Sequence, residues 1–172
     1  MKKIVLVLAV IIGILCINKT EKVIIPKESI RLRVIANSDC SKDQNLKKKI
    51  VKNLSTKFVE TNNLKNIQET RNYINKKLPE FTEIVDKTIK ENNSDKNFKI
   101  NYGKNYFPRK EYKNVIYEEG EYESVVITIG DGNGKNFWCV LFPPLCLLEA
   151  EESDKDEVEY KSFIKEIIDK YF

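Results

Sequence analysis

Apolar and polar positions change their period several times along the chain, and each change marks an element. Residues 4–17 are apolar almost without break, behind Lys2 and Lys3 and ahead of Asn18, Lys19, Glu21 and Lys22. Ile30-Arg31-Leu32-Arg33-Val34-Ile35-Ala36 alternates apolar with basic residues and then becomes wholly apolar, which predicts a strand with one buried face. Asn37, Ser38 and Asp39 end it. Behind a Ser41/Gln44 capping box, Leu46, Ile50, Leu54 and Phe58 recur at helical spacing and predict a helix from about Ser41 to Glu60. Lys47, Lys48, Lys49, Lys52 and Lys57 read as its solvated face.

A second helical stripe, Ile67, Ile74 and Leu78, meets Pro79, which either starts a new helix or kinks a long one carrying Phe81, Ile84, Val85 and Ile89. Phe98 to Tyr102 alternates as a half-exposed strand, and Tyr106 to Tyr117 reads as an ordered loop or short edge strand. Glu121 to Ile129 is rich in β-branched residues and predicts a further strand. Asp131-Gly132-Asn133-Gly134 reads as a hairpin turn into Asn136–Phe142, where Pro143 and Pro144 stop the ladder at a rigid corner. Four-residue spacing puts Trp138 and Phe142 on one strand face, facing a core. Arg31 with Arg33, and Glu121 with Glu123, would form cross-strand ion pairs if their strands are neighbours. An acidic segment, 149–159, precedes a short amphipathic helix in 160–172 whose apolar face completes the core. The expected architecture is α+β: an antiparallel sheet of about three to five strands with helices packed on one face.

The 172 residues, 41% of them hydrophobic, suit one core. Residues 1–22 have the charge-then-apolar layout of an export signal. Their apolar run is short against the roughly 20 residues of a spanning helix, so cleavage and retention as an N-terminal anchor both stay open. Residues 23–172 then form a single domain outside the cytoplasm. Lysine and arginine number 30 against 26 acidic residues, but the signs are interspersed, so nucleic acid is not an expected partner. Histidine is absent, which removes imidazole base catalysis and the usual zinc ligand sets. Cys139 and Cys146 would lie roughly 23 Å apart in an extended chain, so only a reversal at Pro143-Pro144 could join them in a disulfide; two buried thiols are the alternative. No metal or other cofactor is expected. The C-x6-C pair lacks partner ligands, and Asp131 and Asn133 begin a calcium-loop pattern that Lys135, Asn136 and Phe142 break.

Asn136, Trp138, Cys139, Val140, Leu141, Phe142, Pro143, Pro144, Leu145 and Cys146 together form a run of uncommon residue types that resembles the C-terminal signature of the stage II sporulation protein R family. Phe137 stands where that family has a second Trp. Ile30, Arg31, Arg33, Ala36, Asn37, Ser38, Asp39, Asp43, Gln44, Leu46 and Lys47 carry a second match, with Cys40 replacing a small polar residue, and the Ile-Thr-Ile-Gly-Asp-Gly run carries a third. The resemblance implies a non-enzymatic signalling protein, made in the forespore and exported into the space between forespore and mother cell. There it would activate a membrane-embedded aspartic protease that processes the pro-form of the early mother-cell sigma factor. The contact set it suggests is Asn37, Ser38 and Asp39 with Trp138, Phe142, Pro143 and Pro144. Two other classes compete: an exported hydrolase using Asp39, Asp43 or Asp131, and a membrane-anchored scaffold.

Overall fold

The computed structural model describes residues 22–112, 115–146 and 157–172. Most of the expected export signal, residues 1–21, and most of the acidic segment, residues 149–156, lie outside the described residues. Within them, no helix is long and apolar enough to cross a membrane.

Short β1 (Val23–Ile24) precedes β2 (Ile30–Ile35), and α1 (Ser41–Phe58) follows. Leu46, Ile50, Leu54 and Phe58 are buried along α1, as their spacing predicts. A 3-10 turn, Val59–Asn63, ends that helix earlier than expected. The capping box does not form in the expected way: Gln44 turns its amide back to the Ser38 carbonyl oxygen, at 2.9 Å.

Asn66 caps α2 (Ile67–Glu91), its side chain accepting from the Glu69 N–H, and the helix runs unbroken through Pro79. Pro79 removes a helical donor, yet Ile74, Phe81, Val85 and Ile89 on either side are all buried. Burial of that face keeps the two halves in one element. Phe58 of α1 meets Phe81 of α2 edge to face, with ring centroids 5.6 Å apart.

β3 (Phe98–Phe107), β4 (Lys110–Tyr112), β5 (Val115–Tyr117), β6 (Gly120–Ile129) and β7 (Asn136–Phe142) complete the strands, and α3 (Glu157–Tyr171) closes the chain. The larger sheet has the order β3-β6-β2-β7 and the smaller the order β1-β5-β4. The α+β class is as expected, but both sheets are mixed, not purely antiparallel. β2 runs parallel to β6 and antiparallel to β7, and β1 runs parallel to β5. Strand direction depends on where the helical crossover returns the chain, which hydrophobic alternation does not encode.

The expected β6–β7 hairpin is also absent, because β2 sits between the two strands and pairs with both. The glycine-rich connection therefore bridges two strand spacings, roughly 10 Å, and passes over the end of β2. Asn-Gly and Asp-Gly pairs favour any tight bend, so the sequence does not distinguish a hairpin from this bridge.

The helices α1 and α2 cover one face of the larger sheet, with Leu32, Val34, Val125, Ile127 and Cys139 in the shared core. A second cluster, Val23, Ile25, Val115, Val140, Leu145 and Ile164, joins the smaller sheet and α3 to the opposite side. Ile164 is fully buried there, so the terminal helix docks.

Candidate functional site

The Asn37–Asp39 loop and the glycine-rich bridge form one hydrogen-bonded unit, here called the latch. Asn37 donates from Nδ2 to Asp43 Oδ2 at 2.7 Å, and Ser38 donates its hydroxyl to the same oxygen at 2.6 Å. From across the bridge, the Asp131 N–H donates to Asn37 Oδ1 at 3.0 Å and the Lys135 N–H to Asp39 Oδ1 at 2.6 Å. The Asn133 and Gly134 N–H groups donate to the backbone carbonyls of Asn37 and Ala36, at 3.0 and 2.9 Å. Lys47, expected on a solvated face, is instead buried, and its Nζ donates to the Lys135 carbonyl and to Gln44 Oε1, each at 2.7 Å.

Two glycines are required by this arrangement. Gly130 adopts a φ of +56°, and a Cβ there would lie 2.2 Å from Asn37 Oδ1. At Gly134 a Cβ would lie 2.3 Å from the Ser38 carbonyl oxygen. Close backbone approach, rather than turn type alone, selects glycine at the second position.

Hydrogen bonds from Ser38 and then Asn37 hold the Asp43 carboxyl below its ordinary value, with desolvation opposing them. Asp43 is thus an ionised acceptor, matched to two donors, and not a proton donor. Asp39 and Asp131 do not pair with it: Asp39 accepts from Lys135 and Gln44, and Asp131 enters through its backbone. Among the described residues, no group of three or more Cys, Asp or Glu is placed to hold a metal ion.

Phe142, Pro143 and Pro144 occupy the other end of the β2–β7 ladder, and Trp138 lies between that end and the latch. Asn136 is opposite Ile35 beside the latch, Trp138 is opposite Arg33, and Phe142 is opposite Ile30 at the far end. Five residues of strand, roughly 17 Å, therefore separate the latch from the proline corner. Asn37, Ser38 and Asp39 do not share a patch with Phe142, Pro143 and Pro144.

Nor do Trp138 and Phe142 share a face. The register slips between Val140 and Phe142, and this bulge turns Phe142 into the helical core while Trp138 stays on the opposite side. Phe142 packs edge to face against Tyr171, at 5.3 Å between centroids. Phe142 and Pro143 are buried, Pro144 is half-buried, and the Phe142–Pro143 peptide is cis. Behind this corner, the Leu145 N–H donates to the Val140 carbonyl at 3.0 Å. Cys139 and Cys146 are joined as a disulfide with their Cα atoms 5.0 Å apart. Cys40 is an exposed free thiol.

On the Trp138 face, the two sheets enclose an open cavity of about 610 Å³. Its walls include Phe107, Tyr112, Tyr117 and Trp138, and Arg31 lies among them. Phe107 and Trp138 pack edge to face, with centroids 5.1 Å apart. Arg31 is only 2% exposed and stacks on Tyr122, its guanidinium carbon 3.3 Å from the ring centroid. Burial pulls its pKa below the ordinary arginine value, while Tyr122 and Tyr117 oppose that change.

The expected cross-strand ion pairs are not formed by these residues. Arg31 is opposite Ser124, and Glu123 on the helical face accepts instead from Arg71 Nε at 2.9 Å and from the Tyr102 hydroxyl. Sequence reasoning missed the cavity because its aromatic walls come from β3, β4, β5 and β7, none adjacent in a simple pattern. The one available signal was an arginine within an otherwise buried strand.

Comparison with known proteins agrees with this distribution of motifs. The family model described as Stage II sporulation protein R matches residues 26–152, which contain both the latch and the proline corner. The chain is 39% identical over 148 residues to the protein named Stage II sporulation protein R of Bacillus subtilis (strain 168). That match covers 81% of this chain and 66% of the relative, just under two thirds of its length. No solved structure matches. The chain belongs to the stage II sporulation protein R family, and is therefore a sporulation protein.

Proposed function

We propose that this protein is an exported intercellular signal that activates a membrane-embedded aspartic protease, and so triggers processing of the pro-form of the early mother-cell sigma factor. Family membership is the observation that carries this reading. Docking, with no chemistry by this chain, is the mode it uses. The ligand would stabilise the active protease by binding it better than the inactive form. The occupied state of two motif carboxylates supports this mode: Asp43 accepts from Asn37 and Ser38, and Asp39 from the Lys135 N–H, so both hold the latch together. The hydrolase reading is correspondingly weakened.

The accessible parts of the suggested contact set are exposed Asp39 and half-buried Asn37, Ser38, Trp138 and Pro144. Asp39 belongs to the latch and Trp138 to the cavity wall, two sites that adjoin at Lys135, so photoreactive groups placed at Asp39 and at Trp138 test whether the partner covers one or both.

Co-expression of the full chain with the candidate protease and its pro-sigma substrate, in a host lacking other sporulation proteins, tests the proposal. Processing should depend on the chain and persist in Asp131→Asn, whose backbone N–H still serves the latch. Processing that is equally complete without the chain would overturn it. Substrate turnover by the purified chain, lost on neutralising one carboxylate, would restore the hydrolase.

A further inference from the structure

We propose that the cavity between the two sheets receives the carboxylate side chain of an extended peptide, with Arg31 as its counter-ion and β4 as the strand against which the peptide lies. The inference deepens the docking reading above and names the chemistry of the contact.

The cavity falls within the size range of sites that hold small ligands or side chains, roughly 300–1,000 Å³. Arg31 is its most distinctive group. Nε is 3.4 Å from Ser29 Oγ and Nη1 is 3.4 Å from the Glu118 carbonyl, both long contacts, and Nη2 has no partner. The buried guanidinium is surrounded by Tyr122, Phe107 and Tyr117, at 3.3, 5.4 and 6.0 Å from their centroids. Tyr122 also offers Arg31 a side-chain hydrogen bond, but the aromatic faces accept no conventional one, so Nη2 stays without an acceptor. A buried charge normally has an ionic partner and a buried donor an acceptor. One incoming carboxylate satisfies both requirements, because its planar pair of oxygens matches the guanidinium fork.

The surrounding charges favour the same sign. Lys110 lies 5.9 Å and Arg33 4.6 Å from the centroid of the Trp138 ring, and Lys135 lines the rim. The acidic rim residue, Glu111, is engaged by Lys22 at 2.9 Å and Arg109 at 3.4 Å.

A peptide is favoured over a free small anion by the position of β4. This strand is the outer member of the smaller sheet among the described residues, its three residues are exposed, and all three line the cavity. An open strand edge pairs with an extended backbone while alternate side chains enter adjoining pockets. Arg31 is buried in the cavity wall while β4 is exposed at its rim, so an acidic side chain reaches the guanidinium more readily than a peptide backbone does. The apolar walls select aliphatic or aromatic neighbours for that acidic residue.

Trp138 is the sole tryptophan of the chain and lines the cavity, so its emission reports occupancy directly. The probe is acetyl-Val-Thr-Glu-Phe-Val-amide, titrated into the full chain beside the same peptide with Gln in place of Glu. The Glu peptide should shift Trp138 emission saturably, and the Gln peptide should bind at least tenfold more weakly. Arg31→Gln, if folded by circular dichroism, should bring the Glu peptide down to the level of the Gln peptide. If that variant does not fold, the two peptides on the unaltered chain still decide.

Equal affinities, or no saturable change, would overturn the proposal. Acetate or inorganic phosphate competing as well as the peptide, mole for mole, would overturn its peptide component. None of these results depends on the protease, so protease activation that survives a failed peptide titration separates this inference from the function proposed above.

Discussion

Asn37 ties its own loop and the start of α1 to a bridge 94 residues downstream. Its side chain donates to Asp43 and accepts from Asp131, while its carbonyl accepts from Asn133. Asp43 in turn gathers Asn37 and Ser38, so Asp43→Ala leaves two donors without their charged acceptor. The expected cost is about 2–3 kcal/mol in urea unfolding. Because the folded carboxyl titrates below its ordinary value of 3.8, the unfolded chain takes up the proton first as pH falls. The Asp43 contribution should thus be complete above about pH 4, and be lost as pH drops through the lowered folded value. Urea midpoints measured from pH 6 to pH 2.5 should fall less steeply in Asp43→Asn than in the unaltered protein. At this scale the sequence singled out residues of the latch but not the bonds they make. Asn37, Ser38 and Asp39 read as a contact surface, and Asp39, Asp43 or Asp131 as carboxylates of a rival hydrolase, because partners on the distant bridge are invisible in local spacing. Arg31 was misread for the same reason: alternation placed it on a face but not under a second sheet.

At the scale of elements, α1 was legible because its four apolar positions face one core, and a single period describes them. α2 was less so, since Pro79 signals a boundary that tertiary burial overrides. The helix still bears that residue's cost. Pro79→Ala should raise stability, by up to about 3 kcal/mol, with the gain read as a higher urea midpoint at unchanged slope. The bridge between β6 and β7 behaves oppositely, for there the small residue is needed. Gly134→Ala drives a methyl into the Ser38 carbonyl, a backbone atom that cannot rotate away. A loss of about 1–3 kcal/mol is expected. Faster amide exchange at Asn133 and Gly134, whose N–H groups make the crossing bonds, should accompany it. The bulge in β7 escaped prediction because it shifts one residue without altering composition, yet it decides which side of the sheet receives Phe142.

Over the whole molecule, the fold class followed from element order, while strand direction and adjacency did not. A strand inserted between two others that follow each other in the chain leaves no local trace. The consequence is a β2–β7 ladder secured differently at its two ends, by hydrogen bonds at the latch and by Cys139–Cys146 at the proline corner. These ends should be separable. The disulfide closes a short loop, with a sequence separation of 7, so replacing both cysteines by alanine should cost roughly 2 kcal/mol. Hydrogen exchange should rise at Leu145, near the corner, well before it rises at Lys135 within the latch.

Sandwiching β2 between β6 and β7 also fixes a timetable for self-assembly. The helical pair α1 and α2 can meet as soon as both are synthesised, but β2 acquires its neighbours only when residues about ninety positions downstream arrive, as in the Asn37–Asp131 bond with its separation of 94. Such distant pairings are slow to form, since the intervening chain must first surrender its freedom. A nascent chain that stops before residue 136 lacks one flank of its central strand, and so remains pliable until β7 has emerged.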